Sequence, residues 1–262
     1  MEKANYGYHI SEYSKENKDL FIEYKCKLYQ SFISDYVKTL EYQPELKPVI
    51  HCSFYINIAS DKSYVYHLLK KEIKFCLDHN IKYYVLHLGS CGKKSKLSAS
   101  ECINNMFVYL KKICKHYKLY KNNNFNLCLE ILGGSSPDVL NKIEDINKLF
   151  FESKLYYFKN LKICLDTCHL FVSGIDISTI EGFNDYINKF NKIIGLNRLG
   201  IVHLNNSLSP LDSKDDRHAD IKDGYIKPEV VKYMFNYFSD KKINMIFEMK
   251  KYSENLKFLF SQ

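Results

Sequence analysis

Nowhere in this sequence does an apolar run approach the ~18 residues that a membrane-spanning helix needs, so a transmembrane role is not expected. No apolar leader is expected either, because the opening MEKANYGYHISEYSKENK is polar and charged. Tryptophan is absent while Lys, Asn, Ile and Tyr are plentiful, a bias that reflects AT-rich coding and says little about chemistry. No second cysteine pair accompanies Cys164 and Cys168, which argues against a four-thiolate zinc site. The nine cysteines are odd in number and scattered, unlike the framework of a secreted disulfide protein. The expected setting is therefore an intracellular, reducing compartment, nucleus or cytoplasm. A glycine-rich phosphate turn is missing from YGYHISEYSKEN, which speaks against a dinucleotide-binding open sheet. Low-complexity segments and domain linkers are missing too.

What is there is an ordinary globular composition, 46% hydrophobic and 26% charged. The net charge of +8 is compatible with a polyanionic partner, although each lysine-rich run can equally be a solvated helix face. Eight strand-like runs recur: YGYHI, KLYQSF, KPVIHC, YYVLHL, NLCLEI, KICLDT, LGIVHLN and NMIFEM. Several are nearly continuous apolar segments, as in strands buried on both faces of a parallel sheet. Helical patterns lie between many of them, including DKSYVYHLLKKEIKFCLDHN, SASECINNMFVYLKKICKHY and PDVLNKIEDINKLFFESKL. Asp61 is the expected N-cap of the first, and Pro228 fits the first turn of KPEVVKYMFNYFS. Eight strands alternating with helices in 262 residues predict an α/β fold, a single-domain (β/α)8 TIM barrel over residues 1–262. The longest loop-like stretch is LSPLDSKDDRHADIKDGYIKP.

Six of the eight runs end on a group that can bind metal: His51, His87, Glu130, Asp166, His203 and Glu248, spaced 36 to 45 residues apart. In a parallel barrel all six would converge on the carboxyl-end rim, where active sites form. Any one alone is more often a structural histidine or a helix cap. Six in register are different, because carboxylates and histidines packed together without a cation face repulsion and desolvation. His169 follows Asp166 by three residues, and DDRH supplies Asp216 and His218, which an extended chain would place on one side. Nine nitrogen and oxygen ligands exceed the four or so that one zinc takes, so two or three zinc ions fit, with manganese or iron possible at some positions. The remaining histidines, His9, His67, His79 and His116, read as structural.

In order along the chain, HCSFYINIAS, HLGS, CLDTCHLFVSGIDI, VHLNNS, DDRHADIKDG and FEMK resemble the signatures of the endonuclease IV family of abasic-site DNA repair enzymes. The resemblance runs from about Tyr6 to Glu248. It implies a (β/α)8 barrel with three zinc ions that cuts duplex DNA 5′ to an abasic site by a zinc-activated hydroxide, leaving a 3′-hydroxyl and a 5′-deoxyribose phosphate. It implies that His51 and His87 hold one zinc, with Glu130 bridging to a second held by Asp166, His203 and Glu248. His169, Asp216 and His218 would hold the third, and Glu130 would also act catalytically by orienting the nucleophile. Phe54 and Tyr55 align with a pair that probes the duplex in relatives, and Arg217 inside DDRH is a further candidate DNA contact. SFISDYVKTL lacks the arginine relatives carry after the second strand, and ILGGSSPD departs from their Asn-Thr-Ala-Gly-x-Gly. The expected partner is double-stranded DNA with abasic sites, met by a monomer. Two other readings stay open: a metal-dependent sugar isomerase or epimerase on a related barrel, and a non-catalytic binder of damaged DNA.

Overall fold

The computed structural model describes residues 4–11, 15–40, 46–92, 96–119, 124–133, 140, 142–152 and 154–261. Eight parallel strands close into a barrel: β1 (Tyr6–His9), β2 (Leu28–Ser31), β3 (Lys47–His51), β4 (Tyr83–His87), β5 (Asn126–Glu130), β6 (Leu161–Asp166), β7 (Leu199–His203) and β10 (Asn244–Phe247). Closure comes from β1 pairing with β10, Tyr6 opposite Met245. The eight expected strands are these eight. Around them lie the helices α1 (Lys15–Glu23), α2 (Ile33–Leu40), α3 (Ser63–Asp78), α4 (Ala99–His116), α5 (Ile143–Glu152), α6 (Thr167–Val172), α7 (Ile180–Ile193), α8 (Pro228–Asp240) and α9 (Tyr252–Phe260). Among the described residues no helix is long and apolar enough to cross a membrane.

Side chains alternate along a strand, and here the alternation splits the core in two. Tyr8, Ile50, Tyr84, Leu86, Leu127, Leu129, Leu165, Val202 and Phe247 face outward into the layer packed under the helices. Leu28, Val49, Val85, Cys128, Cys164, Ile201 and Ile246 face inward and form a separate plug inside the barrel. Two residues further along each of those strands lies a polar group: Gln30, His51, His87, Glu130, Asp166, His203 and Glu248. The plug is thus an apolar floor directly beneath a polar layer. On β1 the corresponding pair is Gly7 and His9. A Cβ at Gly7 would lie 1.7 Å from the Leu28 carbonyl oxygen, so only glycine lets β1 and β2 approach this closely.

Two local devices keep the polar layer in register. Between β6 and β7 the pairing slips by one residue, from Ile163 opposite Leu199 to Cys164 opposite Ile201, leaving Gly200 as the extra residue of a bulge. The slip turns Ile201 and His203 inward and sets His203 opposite Asp166. Beyond β7, the stretch expected to be loop folds back through β9 (His218–Ala219), which pairs antiparallel with β8 (Asn206–Ser207) immediately before that stretch. Asn206 ties its return together, donating to the carbonyls of Ile221 and Ile226 at 2.8 and 2.7 Å and accepting from the Ile226 amide.

Two local expectations need adjustment. Asp61 is not the N-cap of α3: Lys62 occupies that position and makes no side-chain capping bond. The capping device appears on α4 instead, where Ser98 and Glu101 form a reciprocal box. Glu248 lies just past the end of β10 at Phe247. Pro228 does open α8. The first residues of PDVLNKIEDINKLFFESKL, and most of ILGGSSPD, lie outside the described residues.

Candidate metal centre

Glu130 is the hub of the polar layer. It is 1% exposed, and its Oε2 lies 3.1 Å from His51 Nε2 and 3.2 Å from His87 Nε2. Its Oε1 lies 3.0 Å from His203 Nδ1. The same His203 nitrogen is 3.3 Å from Glu248 Oε2 and 3.7 Å from Asp166 Oδ2. These side chains come from β3, β4, β5, β6 and β7 and from the residue after β10, so barrel closure alone brings them together.

Asp166 and His169 are linked by one helical turn. Asp166 caps α6, its Oδ1 accepting from the His169 amide at 3.0 Å, which leaves Oδ2 facing the cluster. The His169 ring is held by Ile131, whose carbonyl lies 2.8 Å from Nδ1, and its Nε2 lies 3.0 Å from Asp216 Oδ2. The ribbon contributes the last two groups: His218 Nε2 lies 3.3 Å from Asp216 Oδ1 and 3.6 Å from Asp166 Oδ2.

Three sets of donors result, each with its ligand atoms within 4.8 Å of one another: His51, His87 and Glu130; Glu130, Asp166, His203 and Glu248; His169, Asp216 and His218. Cys164 and Cys168 also come close to these donors. Burial pushes both thiols above their ordinary pKa.

The protonation balance suits a cation. Burial alone would lower the histidine pKa values, but the facing carboxylates outweigh it. They hold His169 well above the usual range, raise His203 and lift His218 to about 9, while hydrogen bonding to Cys52 and then Glu130 holds His51 well above it. Burial likewise would raise the Glu130 pKa, yet His203 and His87 keep it well below the ordinary value. Asp216 and Glu248 are also lowered against burial, the first by His169 and His218, the second chiefly by His203. Asp166 is the exception, raised because desolvation wins. Imidazolium protons thus offset buried carboxylates, and divalent cations would replace those protons. His218 Nε2 lies 3.3 Å from Asp216 Oδ1 and 3.6 Å from Asp166 Oδ2 without forming a well-aligned hydrogen bond. A buried imidazole nitrogen facing two carboxylates in this way fits a metal ligand.

Residues 5–261 match the family described as xylose isomerase-like TIM barrels. The chain is 30% identical over 251 residues to a probable endonuclease 4 of Persephonella marina, covering 94% of this chain and 79% of that one. It is 33% identical over 205 residues to the apurinic-apyrimidinic endonuclease 1 of Plasmodium falciparum, covering 76% of this chain and 32% of that one. The chain belongs to the endonuclease IV family. The crystal structure of endonuclease IV from Thermus thermophilus superposes on it with a TM-score of 0.75 over 97% of each chain at 21% identity, a match of fold.

Phe54 and Arg217 line clefts that border the cluster. An open cleft of about 520 Å³ lies over the donors, lined by Phe32, Phe54, Met249, Lys250 and Tyr252 besides the ligands. Phe54 and Tyr55 stand 77% and 76% exposed after β3. Arg217 is exposed on a neighbouring cleft of about 480 Å³ that it shares with Leu208, Asp223 and Lys250.

Three residues of this endonuclease IV barrel escaped the sequence reading. His9, expected to be structural, reaches the cluster, its Nδ1 lying 3.3 Å from Glu248 Oε1. It ends β1 as the other candidates end their strands, and that was the usable signal. Gln30 is fully buried between His203 and Glu248. Asn205 donates to Asp166 Oδ2 at 2.7 Å and to Glu248 Oε2 at 3.2 Å while accepting from the Glu248 amide. Neither amide carries a charge, so nothing in its residue type marks it as a partner of metal ligands.

Proposed function

We propose that this chain is a metal-dependent abasic-site endonuclease that hydrolyses the phosphodiester 5′ to an abasic site in duplex DNA, leaving a 3′-hydroxyl and a 5′-deoxyribose phosphate. The observation that carries the reading is the convergence of nine His, Asp and Glu side chains into three donor sets, two of them sharing Glu130. The abasic-site substrate is suggested by the name of the Plasmodium falciparum relative. Zinc is the cation proposed, three ions in all: one with His51, His87 and Glu130, one with Glu130, Asp166, His203 and Glu248, one with His169, Asp216 and His218.

Bound there, zinc would supply Lewis acidity, activating water at neutral pH and neutralising charge on the phosphoryl oxygens. The rest of the chemistry belongs to the chain. Glu130, its carboxylate fixed from both sides by histidines, would orient an attacking water. Arg217 and Lys250 at the cleft offer cations to backbone phosphates. Phe54 and Tyr55 present exposed rings beside the donors, suited to wedging into a base step opened by the missing base. The net charge of +8 favours a polyanion over a neutral sugar.

The test is nicking of a duplex carrying one tetrahydrofuran abasic analogue, which cannot undergo β-elimination. Zinc-replete parent protein is expected to cut on the 5′ side, and Glu130→Gln and His218→Ala to lose about 10²–10⁴ of the rate. Tight binding of the abasic duplex without a cut would instead favour the damaged-DNA binder. Turnover of free sugars with indifference to DNA would favour the isomerase.

A further inference from the structure

Gln30 sits in the polar layer at the inward position of β2, fully buried, and its side-chain amide touches three residues of the site. The His203 Nε2–H donates to its Oε1 at 3.0 Å. Its Nε2 donates to Glu248 Oε1 at 2.7 Å and lies 2.9 Å from His9 Nδ1. A carboxamide has one acceptor oxygen and two donor hydrogens; here the oxygen accepts from His203 and one hydrogen goes to Glu248. We propose that Gln30 is a positioning residue that selects which ring nitrogen of His203 and which oxygen of Glu248 face the metal site. This rests on the proposal that Glu130, Asp166, His203 and Glu248 hold a cation.

The selection follows from the donor sense. An imidazole that keeps a hydrogen on Nε2 for Gln30 has its lone pair on Nδ1. That is the nitrogen facing Glu130 Oε1, Glu248 Oε2 and Asp166 Oδ2. On Glu248, Gln30 occupies Oε1, which leaves Oε2 on the cluster side with the Asn205 amide. One neutral side chain therefore orients two of the four groups in one donor set. Such partners of metal ligands fix tautomer and orientation. Glutamine is the side chain that can do both at once. Glutamate would accept from His203 but meet the Glu248 carboxylate with like charge, and methionine would do neither.

The experiment compares the parent with Gln30→Met and Gln30→Glu. Zinc affinity is read by competition with a chromophoric chelator, and the protonated nitrogen of His203 by long-range ¹H–¹⁵N NMR of the zinc-loaded protein, assigned through His203→Gln. Thermal unfolding of the metal-stripped proteins separates a packing defect from a defect in metal binding. We expect both variants to hold the affected zinc about 10- to 100-fold more weakly, and Gln30→Met to lose the Nε2–H signature. Should Gln30→Met fail to fold, the near-isosteric Gln30→Glu carries the comparison. Variants that unfold more easily when stripped yet keep the parent zinc affinity and His203 tautomer would overturn the assignment. A parent protein that takes up no zinc would refute the metal reading itself, and the role of Gln30 with it.

Discussion

Glu130 belongs to two donor sets, whereas His218 belongs to one. Their substitutions should therefore differ in how much zinc-linked stability they remove. A ligand that binds only the folded chain stabilises it by about 2.7 kcal/mol per site at a free concentration of 100 times its Kd. Three independent sites would contribute about 8 kcal/mol. His218→Ala would leave about 5.4 and Glu130→Gln about 2.7. For a chain of this size 1 kcal/mol moves Tm by roughly 2–4 °C. The zinc-dependent rise in Tm should thus be about 15–30 °C for the parent, about 10–20 °C for His218→Ala and about 5–10 °C for Glu130→Gln. Zinc binding by histidines and thiols of the unfolded chain compresses all three values together, so the ordering is the robust quantity. The assay is thermal unfolding of stripped and zinc-buffered protein, with zinc content by atomic emission. Equal losses in the two variants would mean that Glu130 is not shared. No zinc-dependent rise in the parent would remove the metal centre.

Other perturbations probe other parts of the structure. Phe54→Ala and Tyr55→Ala should each weaken binding of an abasic duplex by about 1–3 kcal/mol, while thermal stability stays within about 0.5 kcal/mol because both rings are exposed; a loss of stability instead of binding would refute the contact. Gly7→Ala should cost about 1–3 kcal/mol, since its Cβ meets the Leu28 carbonyl at 1.7 Å, and an unchanged Tm would show that β1 tolerates displacement. All nine cysteines are free, and burial pushes the Cys26, Cys114 and Cys128 thiols up to about 12. Alkylation of native protein at neutral pH should accordingly label the half-buried Cys91 first, read by mass spectrometry. Rapid labelling of Cys128 would contradict a closed barrel interior.

The barrel was legible because β-strand periodicity and strand-end chemistry coincide in single short words such as PVIH, LCLE and ICLD. Each word holds an inward apolar residue and, two positions on, an inward polar one. His9 follows the same rule in YGYH, although a lone early histidine is weak evidence by itself. Gln30 and Asn205 were harder to see, since an uncharged amide at a strand end resembles any polar residue until its neighbours are known. The N-cap of α3 went astray for a similar reason: Asp61 has the right side chain, but the helix starts at Ser63, one residue later than Asp61 could cap.

What the sequence by itself determined is therefore the kind of group at each strand end, because alternation along an extended chain is a local property of the backbone. What only the tertiary structure decided is which groups meet. Glu130 faces His51 and His203, 79 and 73 residues away along the chain. Gln30 meets Glu248 across 218 residues because β1 pairs with both β2 and β10. Those distances depend on the register between strands, including the one-residue slip at Gly200, and on closure of the sheet. Register and closure are set by how all eight strands fill one interior together, which no single stretch of the chain encodes.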